Sequence, residues 1–219
     1  MRKNLYRLLS SVSLVLGTSL LGALTSDEAL KTLLEGNQRY MSDQLLHADN
    51  NANRRASLVS KQEPFAIILG CSDSRVAPEI IFDQNIGDLF VVRVAGNVVG
   101  PIELDSIEYS ALYLGSRLII VLGHENCGAV QAVLTGNTQD IEAIAVKIEP
   151  ALVGIQPQQK NALERAIVAN VRLVVDQLSN SPVLGKMLKT QQLKIVGGYY
   201  DLLTGQVRLL NPPAPATAP

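Results

Sequence analysis

The sequence predicts an α/β fold with a mainly parallel central sheet, flanked by helices and bearing an edge hairpin near the C-terminus. Continuous apolar runs at residues 65–70, 89–94 and 118–122 have the length and composition of strands that are buried on both faces. Apolar residues at helical spacing within residues 102–114 and 158–178 predict two of the helices that connect such strands.

The other elements follow from shorter signals along the chain. Residues 25–28 (TSDE) form a capping box, which predicts the start of a helix. Residues 50–55 are polar and are predicted to be a connector. Residues 193–196 form a shorter apolar run and predict a further strand, and the Thr-Gly pair at 204–205 lies between two runs that predict the closing hairpin.

The composition limits the function classes. Hydrophobic residues make up 47% of the 219 residues, which is enough for a large buried core. The 19 Lys and Arg nearly balance the 20 Asp and Glu, so a nucleic-acid partner is not expected. Aromatic residues amount to 4% and Trp is absent from the sequence, which argues against a surface for stacking bases or sugars.

The two ends of the chain differ from its middle. Residues 1–7 carry three positive charges, and an apolar stretch interrupted by serines follows without any charge until Asp27. This pattern predicts that residues 1–24 are a signal peptide or an N-terminal membrane anchor, and that the protein is exported to the periplasm or another extracytoplasmic place. Residues 25–211 are predicted to form one domain, followed by a disordered Pro/Ala tail at 212–219.

Cysteine and histidine side chains follow two of the predicted strands. Cys71 comes directly after Gly70, His124 comes directly after Gly123, and Cys127 stands at the start of a further predicted helix. Because sites form beyond the carboxyl ends of parallel strands, these three side chains are expected to lie together. One imidazole and two thiolates suit zinc and leave a fourth position open, as in catalytic sites. A Cys71–Cys127 disulfide, or two plain core cysteines, would fit the same spacing.

A carboxylate and a guanidinium follow the first cysteine closely. Asp73 and Arg75 lie two and four residues after Cys71. Two thiolates cancel the charge of Zn²⁺, so the centre would polarise a bound water less than a tris-histidine centre does, and an ionised acceptor would help to compensate. A helix-capping Asp paired with a surface Arg is the alternative interpretation.

These motifs resemble those of the beta-class carbonic anhydrases. The resemblance spans residues 26–210, and its two main motifs are specific in combination rather than singly. The matching segments are CSDSR at 71–75, HENCG at 124–128, GDLFVVRVAGN at 87–97, EGNQRY at 35–40 and GGYYDLLTG at 197–205. A family-typical Asn-Val/Ile-Ala-Asn segment reads Val-Ala-Gly-Asn here, at residues 94–97.

The resemblance implies a role for each matching residue. Cys71, His124 and Cys127 match the ligands of one Zn²⁺ per chain, and Asp73 with Arg75 matches the catalytic dyad. The residues that match positions in or beside the substrate pocket are Gln62, Phe90, Tyr109 and Gly128. The Gln62 counterpart often comes from a neighbouring subunit, and the set is typical of the plant-type subgroup.

The resemblance also implies an activity and partners. The expected reaction is the reversible hydration of CO₂ to bicarbonate and a proton by a zinc-hydroxide mechanism, in a homodimer or a larger homo-oligomer. In some relatives the counterpart of Asp73 becomes a fourth zinc ligand in a closed state. Alternatives are a carbonyl sulfide or carbon disulfide hydrolase on the same scaffold, a non-catalytic protein that binds zinc or bicarbonate, and a site that loses zinc when its cysteines are oxidised.

Overall fold

The structure, a computed structural model, describes residues 24–46 and 50–210, and these form a central five-stranded sheet. The strands are β1 (Ala66–Gly70), β2 (Leu89–Arg93), β3 (Leu118–His124), β4 (Lys194–Tyr200) and β5 (Val207–Leu210). Their order in the sheet is β2-β1-β3-β4-β5. Strands β1 to β4 run parallel, and β5 pairs antiparallel with β4. The predicted α/β class and edge hairpin are confirmed.

Helices cover both faces of the sheet. They are α1 (Ser26–Met41), α2 (Ala52–Ser57), α3 (Pro78–Ile81), α4 (Pro101–Tyr109), α5 (Gly128–Thr135), α6 (Glu142–Ile148), α7 (Ala162–Ser179) and α8 (Pro182–Lys189). Buried residues of α1 and α3 pack on one face, and those of α4, α7 and α8 pack on the other. The capping box predicted at residues 25–28 is present, with Thr25 as the N-cap of α1.

The continuous apolar runs are explained by this two-sided cover. Every residue of β1 and β3 is buried. Successive residues of β1 belong to opposite cores: Ile67 packs with α4 and α7, whereas Ile68 packs with α1. A central strand therefore needs apolar side chains at each position rather than at every second one.

The predicted connector at residues 50–55 is wrong in part, because these residues begin a short helix. The side chain of Asn51 accepts a hydrogen bond from the backbone N–H of Arg54 and so caps α2. The guanidinium of Arg54 also forms a 2.5 Å ion pair with Asp88 in the loop before β2. This helix has no buried residue, so apolar periodicity does not reveal it.

Some element boundaries differ from the prediction for local reasons. Helix α7 begins at Ala162 rather than near residue 158, because Asn161 has a left-handed backbone conformation with φ of 56°. Helix α4 begins at Pro101 and continues as one π-helical segment, Ser110–Leu114. Strand β4 is longer than the predicted run at 193–196, because it keeps its pairing with β3 as far as Tyr200.

The two terminal predictions fall largely outside the described residues. Of the predicted leader at 1–24 only Leu24 is described, and the predicted tail at 212–219 is not. Signal peptide, membrane anchor and export therefore stay predictions. Within residues 24–46 and 50–210, no helix is both long and apolar enough to cross a bilayer.

Candidate metal centre and active site

The parallel pairing of β1 with β3 brings Cys71, His124 and Cys127 together. Cys71 directly follows β1, His124 is the last residue of β3, and Cys127 is the N-cap of α5. All three are buried, and one ligand atom from each lies within 4.8 Å of the others. The side chains that the sequence predicts as metal ligands thus form one cluster at the carboxyl edge of the sheet.

The donor atoms of this cluster fit a zinc ion. Both cysteines are free thiols, so the structure does not show the alternative disulfide. Nδ1 of His124 lies 2.8 Å from the backbone carbonyl oxygen of Glu125, and an N–H at Nδ1 would donate to that carbonyl. This tautomer leaves Nε2 with its lone pair free, and Nε2 is buried without a hydrogen-bond partner among the described residues. An imidazole oriented by a second hydrogen bond is typical of metal ligands.

The two thiols influence each other's ionisation. Contact with the Cys127 thiol, assisted by the nearby His124 ring and by the Gly96 N–H, lowers the pKa of Cys71 to about 4. The same contact, together with burial, raises the pKa of Cys127 above its ordinary value. The two sulfur atoms lie within 4.8 Å of each other, so both thiols cannot easily become anions unless a cation lies between them. This arrangement is consistent with a divalent metal site.

Gly70 and Gly123, which directly precede Cys71 and His124, differ in whether packing requires a glycine. A Cβ at Gly123 would come within 2.5 Å of Val171 Cγ2, so the close approach of α7 to β3 excludes a side chain there. At Gly70 a Cβ would meet nothing within 4 Å. The glycine before His124 is therefore explained by helix packing, whereas the structure shows no steric reason for the one before Cys71.

Asp73 and Arg75 form a bidentate pair beside the cluster. The guanidinium donates from Nε to Oδ1 at 2.9 Å and from Nη2 to Oδ2 at 2.7 Å. These hydrogen bonds hold the pKa of Asp73 well below its usual range. Oδ2 of Asp73 also lies 3.8 Å from Nε2 of His124, and 17% of the Asp73 side chain is exposed. An ionised carboxylate thus stands next to the metal ligands and reaches solvent.

Two residues that support the centre were missed by the sequence analysis. Arg93, at the end of β2, donates to the carbonyl oxygen of Cys71 at 2.9 Å and to that of Asp73 at 2.6 Å. The backbone N–H of Gly96 donates to the sulfur of Cys71 at 3.3 Å. Both lie in the segment at 87–97 that matches the family, and this match could have pointed to them. The pairing of β2 with β1 is what shows that the segment reaches Cys71.

Within one chain, the structure does not bring Gln62, Phe90 and Tyr109 to the metal ligands. Phe90 pairs with Ile67, which lies four residues before Cys71. Phe90 is therefore roughly 13 Å from Cys71 along the strand direction. The ring of Tyr109 lies 6.4 Å from that of Phe90. Gln62 is exposed in the loop before β1, at the opposite end of that strand from Cys71.

Gly128, the fourth predicted pocket residue, does lie beside the ligand cluster. It is the first residue of α5, directly after Cys127. A Cβ at this position would meet nothing within 4 Å, so the space next to the helix start is open. The role of Gly128 beside the substrate stays a prediction.

Comparisons with known proteins agree with this geometry. A family model described as "Carbonic anhydrase" matches residues 66–207. The chain is 38% identical over 188 residues to a carbonic anhydrase of Mycolicibacterium smegmatis, a match that covers 83% of this chain and 91% of the relative. It is 37% identical over 192 residues to carbonic anhydrase 2 of Mycobacterium tuberculosis, again with 83% and 91% covered.

Two solved structures of beta-carbonic anhydrases are also similar to this chain. The beta-carbonic anhydrase CcaA superposes with a TM-score of 0.68 at 25% identity, covering 83% of this chain and 95% of that chain. A beta-carbonic anhydrase of Coccomyxa, solved in complex with acetazolamide, has a TM-score of 0.66 at 26% identity and covers 83% and 86%.

Proposed function

The chain belongs to the beta-class carbonic anhydrases, which are zinc enzymes with carbonate dehydratase activity, and we propose that it catalyses the reversible hydration of CO₂ to bicarbonate and a proton. The observation that carries this proposal is the convergence of Cys71, His124 and Cys127 on one buried point, with Nε2 of His124 unpartnered among the described residues. These three side chains would hold the metal. Zinc supplies Lewis acidity there, which makes water a nucleophile near neutral pH.

We propose that Asp73 accepts a hydrogen bond from the attacking water and so orients it toward CO₂. Its carboxylate is ionised because Arg75 pairs with both oxygens. Oδ2 lies 3.8 Å from Nε2 of His124, the nitrogen that would bind the metal. Asp73 would have to leave Arg75 before it could become a fourth ligand, so the site is proposed to be open while the pair is intact.

Proton release is proposed to depend on buffer. His124 is the one histidine among the described residues, and its ring is fully buried as a ligand, so it cannot carry protons to solvent. The chain supplies no other imidazole near the cluster within its described part. A dissolved buffer base would therefore take the proton, and turnover should rise with buffer concentration.

The test of this function is stopped-flow CO₂ hydration by the reduced, zinc-loaded protein between about pH 6.5 and 9, a range that brackets the ~7 expected for water activated by zinc. Activity should rise with pH, disappear when a chelator removes the zinc, and return when zinc is added back. Carbonyl sulfide and carbon disulfide, offered in parallel, separate the sulfur-substrate alternative. A protein that carries one zinc per chain and hydrates no CO₂ would contradict the proposal; it would favour the sulfur-substrate hydrolase if it cleaves either sulfur compound, and a binding protein if it cleaves neither.

We further propose that the active enzyme is a homodimer or a larger assembly of dimers. Strand β2 is an edge strand, and the helix next to it exposes large apolar side chains, including Ile102 at 78% and Tyr113 at 75%. Single exposed apolar residues are common, but a group of them beside an open strand edge is typical of an interface. A second copy on this face would cover the group and could bring the pocket residues of one chain to the metal of the other.

A Tyr113→Glu variant tests this assembly. A charge in the middle of an apolar interface is expected to shift the protein toward monomer in sedimentation velocity and to lower CO₂ hydration at least about tenfold. The matched control is Val153→Glu, at an 86% exposed position outside this group, which should change neither. Full activity of a monomeric Tyr113→Glu protein would overturn the proposal that the site needs a second copy.

A further inference from the structure

We infer that Asn170 is a positioning residue of the metal centre, acting on the sulfur of Cys71 through the backbone of Gly96. The inference rests on the zinc site of the proposed function and adds a residue on a distant helix to it. Asn170 lies in the middle of α7, and none of its surface is exposed. Its side-chain amide donates to Gly96 and not to one of the three ligands, so its effect on the metal would pass through the loop that contains Gly96.

Two hydrogen bonds connect the amide to the ligand. Nδ2 of Asn170 donates to the carbonyl oxygen of Gly96 at 2.8 Å. The N–H of the same Gly96 donates to Sγ of Cys71 at 3.3 Å. Gly96 is thus held from one side by the helix and offers its N–H to the thiolate on the other. An N–H donor to a coordinated sulfur stabilises its negative charge and fixes the position of the ligand, and partners of this kind support metal affinity.

The conformation of Gly96 explains why the loop needs an external anchor. Its φ is +71°, and a Cβ would lie 2.8 Å from Cδ1 of Ile148, so only glycine fits this position without strain. Glycine has no side chain with which to fix itself in the core and has the greatest backbone freedom of any residue. The amide of Asn170 supplies the missing restraint on its carbonyl.

The side-chain oxygen of Asn170 argues against a purely structural role. Within the part of the chain that the structure describes, its Oδ1 is buried without a hydrogen-bond partner, and so is Nδ2 of Asn97 in the neighbouring turn. Burying an amide oxygen without a partner is unfavourable, and an apolar residue at the same place in α7 would avoid that cost. Among the contacts described for this side chain, the hydrogen bond to Gly96 is the one that accounts for an amide at this position.

The experiment replaces the amide by an apolar group of similar size in Asn170→Leu and examines the metal rather than the turnover. Zinc affinity is measured by chelator competition on the reduced full-length protein, and the cobalt(II) derivative is examined by absorption spectroscopy. We expect zinc to bind about tenfold more weakly or worse, because Gly96 and the sulfur of Cys71 are no longer held in place for the metal. We also expect the thiolate-to-cobalt charge-transfer band to move to longer wavelength, because a sulfur without its N–H donor gives up electrons more easily.

The matched control is Val174→Ala, one turn further along α7 and equally buried. It opens a cavity in the core and should lower the melting temperature while leaving the zinc affinity and the cobalt band unchanged. Should Asn170→Leu not fold, Asn170→Ala removes the same donor without added bulk and should show the same two changes. Unchanged zinc affinity and an unchanged band in a folded Asn170 variant would overturn the inference. Wild-type protein that binds no zinc would instead refute the proposed function.

Discussion

A Cys71→Ser variant is expected to bind zinc roughly 100- to 1000-fold more weakly than the wild type, because one of three protein ligands is lost. Serine keeps the shape of the side chain, but its hydroxyl is not ionised at neutral pH and is a poor ligand for zinc. CO₂ hydration should fall to the uncatalysed rate at equimolar zinc. Metal content after gel filtration and stopped-flow rates measure the two effects separately.

Two companion variants make the result specific. Cys127→Ser should behave in the same way, since each cysteine supplies one thiolate to the cluster. Ser72→Ala, at the exposed position directly after Cys71, should retain both zinc and activity. Normal zinc content in Cys71→Ser would remove this residue from the ligand set.

If oxidation of the wild type releases zinc and a reductant restores binding, the centre is also under redox control.

The second large effect is expected for Asp73→Asn, which should lower kcat/KM about 100-fold at unchanged zinc content. The amide has nearly the same shape, but it is uncharged and accepts more weakly than the ionised carboxylate. Because Arg75 holds the pKa of Asp73 well below its usual range, the wild-type carboxylate stays ionised throughout the assay range of about pH 6.5 to 9. The loss should therefore be the same across the profile.

The matched control is Asp43→Asn, the same chemical change in the exposed loop after α1, at a position with φ of 54° that asparagine tolerates well. It should keep wild-type kinetics. Should Asp73→Asn retain activity within about twofold, the pair with Arg75 would be reduced to a surface ion pair, which usually contributes little. Loss of zinc in the same variant would point to a structural effect on the ligand loop instead.

Much of the fold could be predicted because its signals are local. The buried strands β1 and β3 are apolar at every position, and Thr25 with Glu28 marks the start of α1. Helix α2 was not predicted, since it has no buried residue and its ion pair joins residues 34 apart in the chain. A short helix without an apolar face carries no periodic signal.

The sequence by itself determined the chemistry of the centre: which side chains are available, and that two of them directly follow strands. Tertiary structure alone decided which more distant groups support them. Arg93 reaches the backbone at Cys71 across 22 residues, and Asn170 reaches Gly96 across 74. Such contacts depend on strand order and on the helix packed behind the sheet. Strand order and helix packing leave no pattern among residues that are neighbours in the sequence. The hydrogen bonds that hold the Cys71 loop can therefore be identified only from the folded structure.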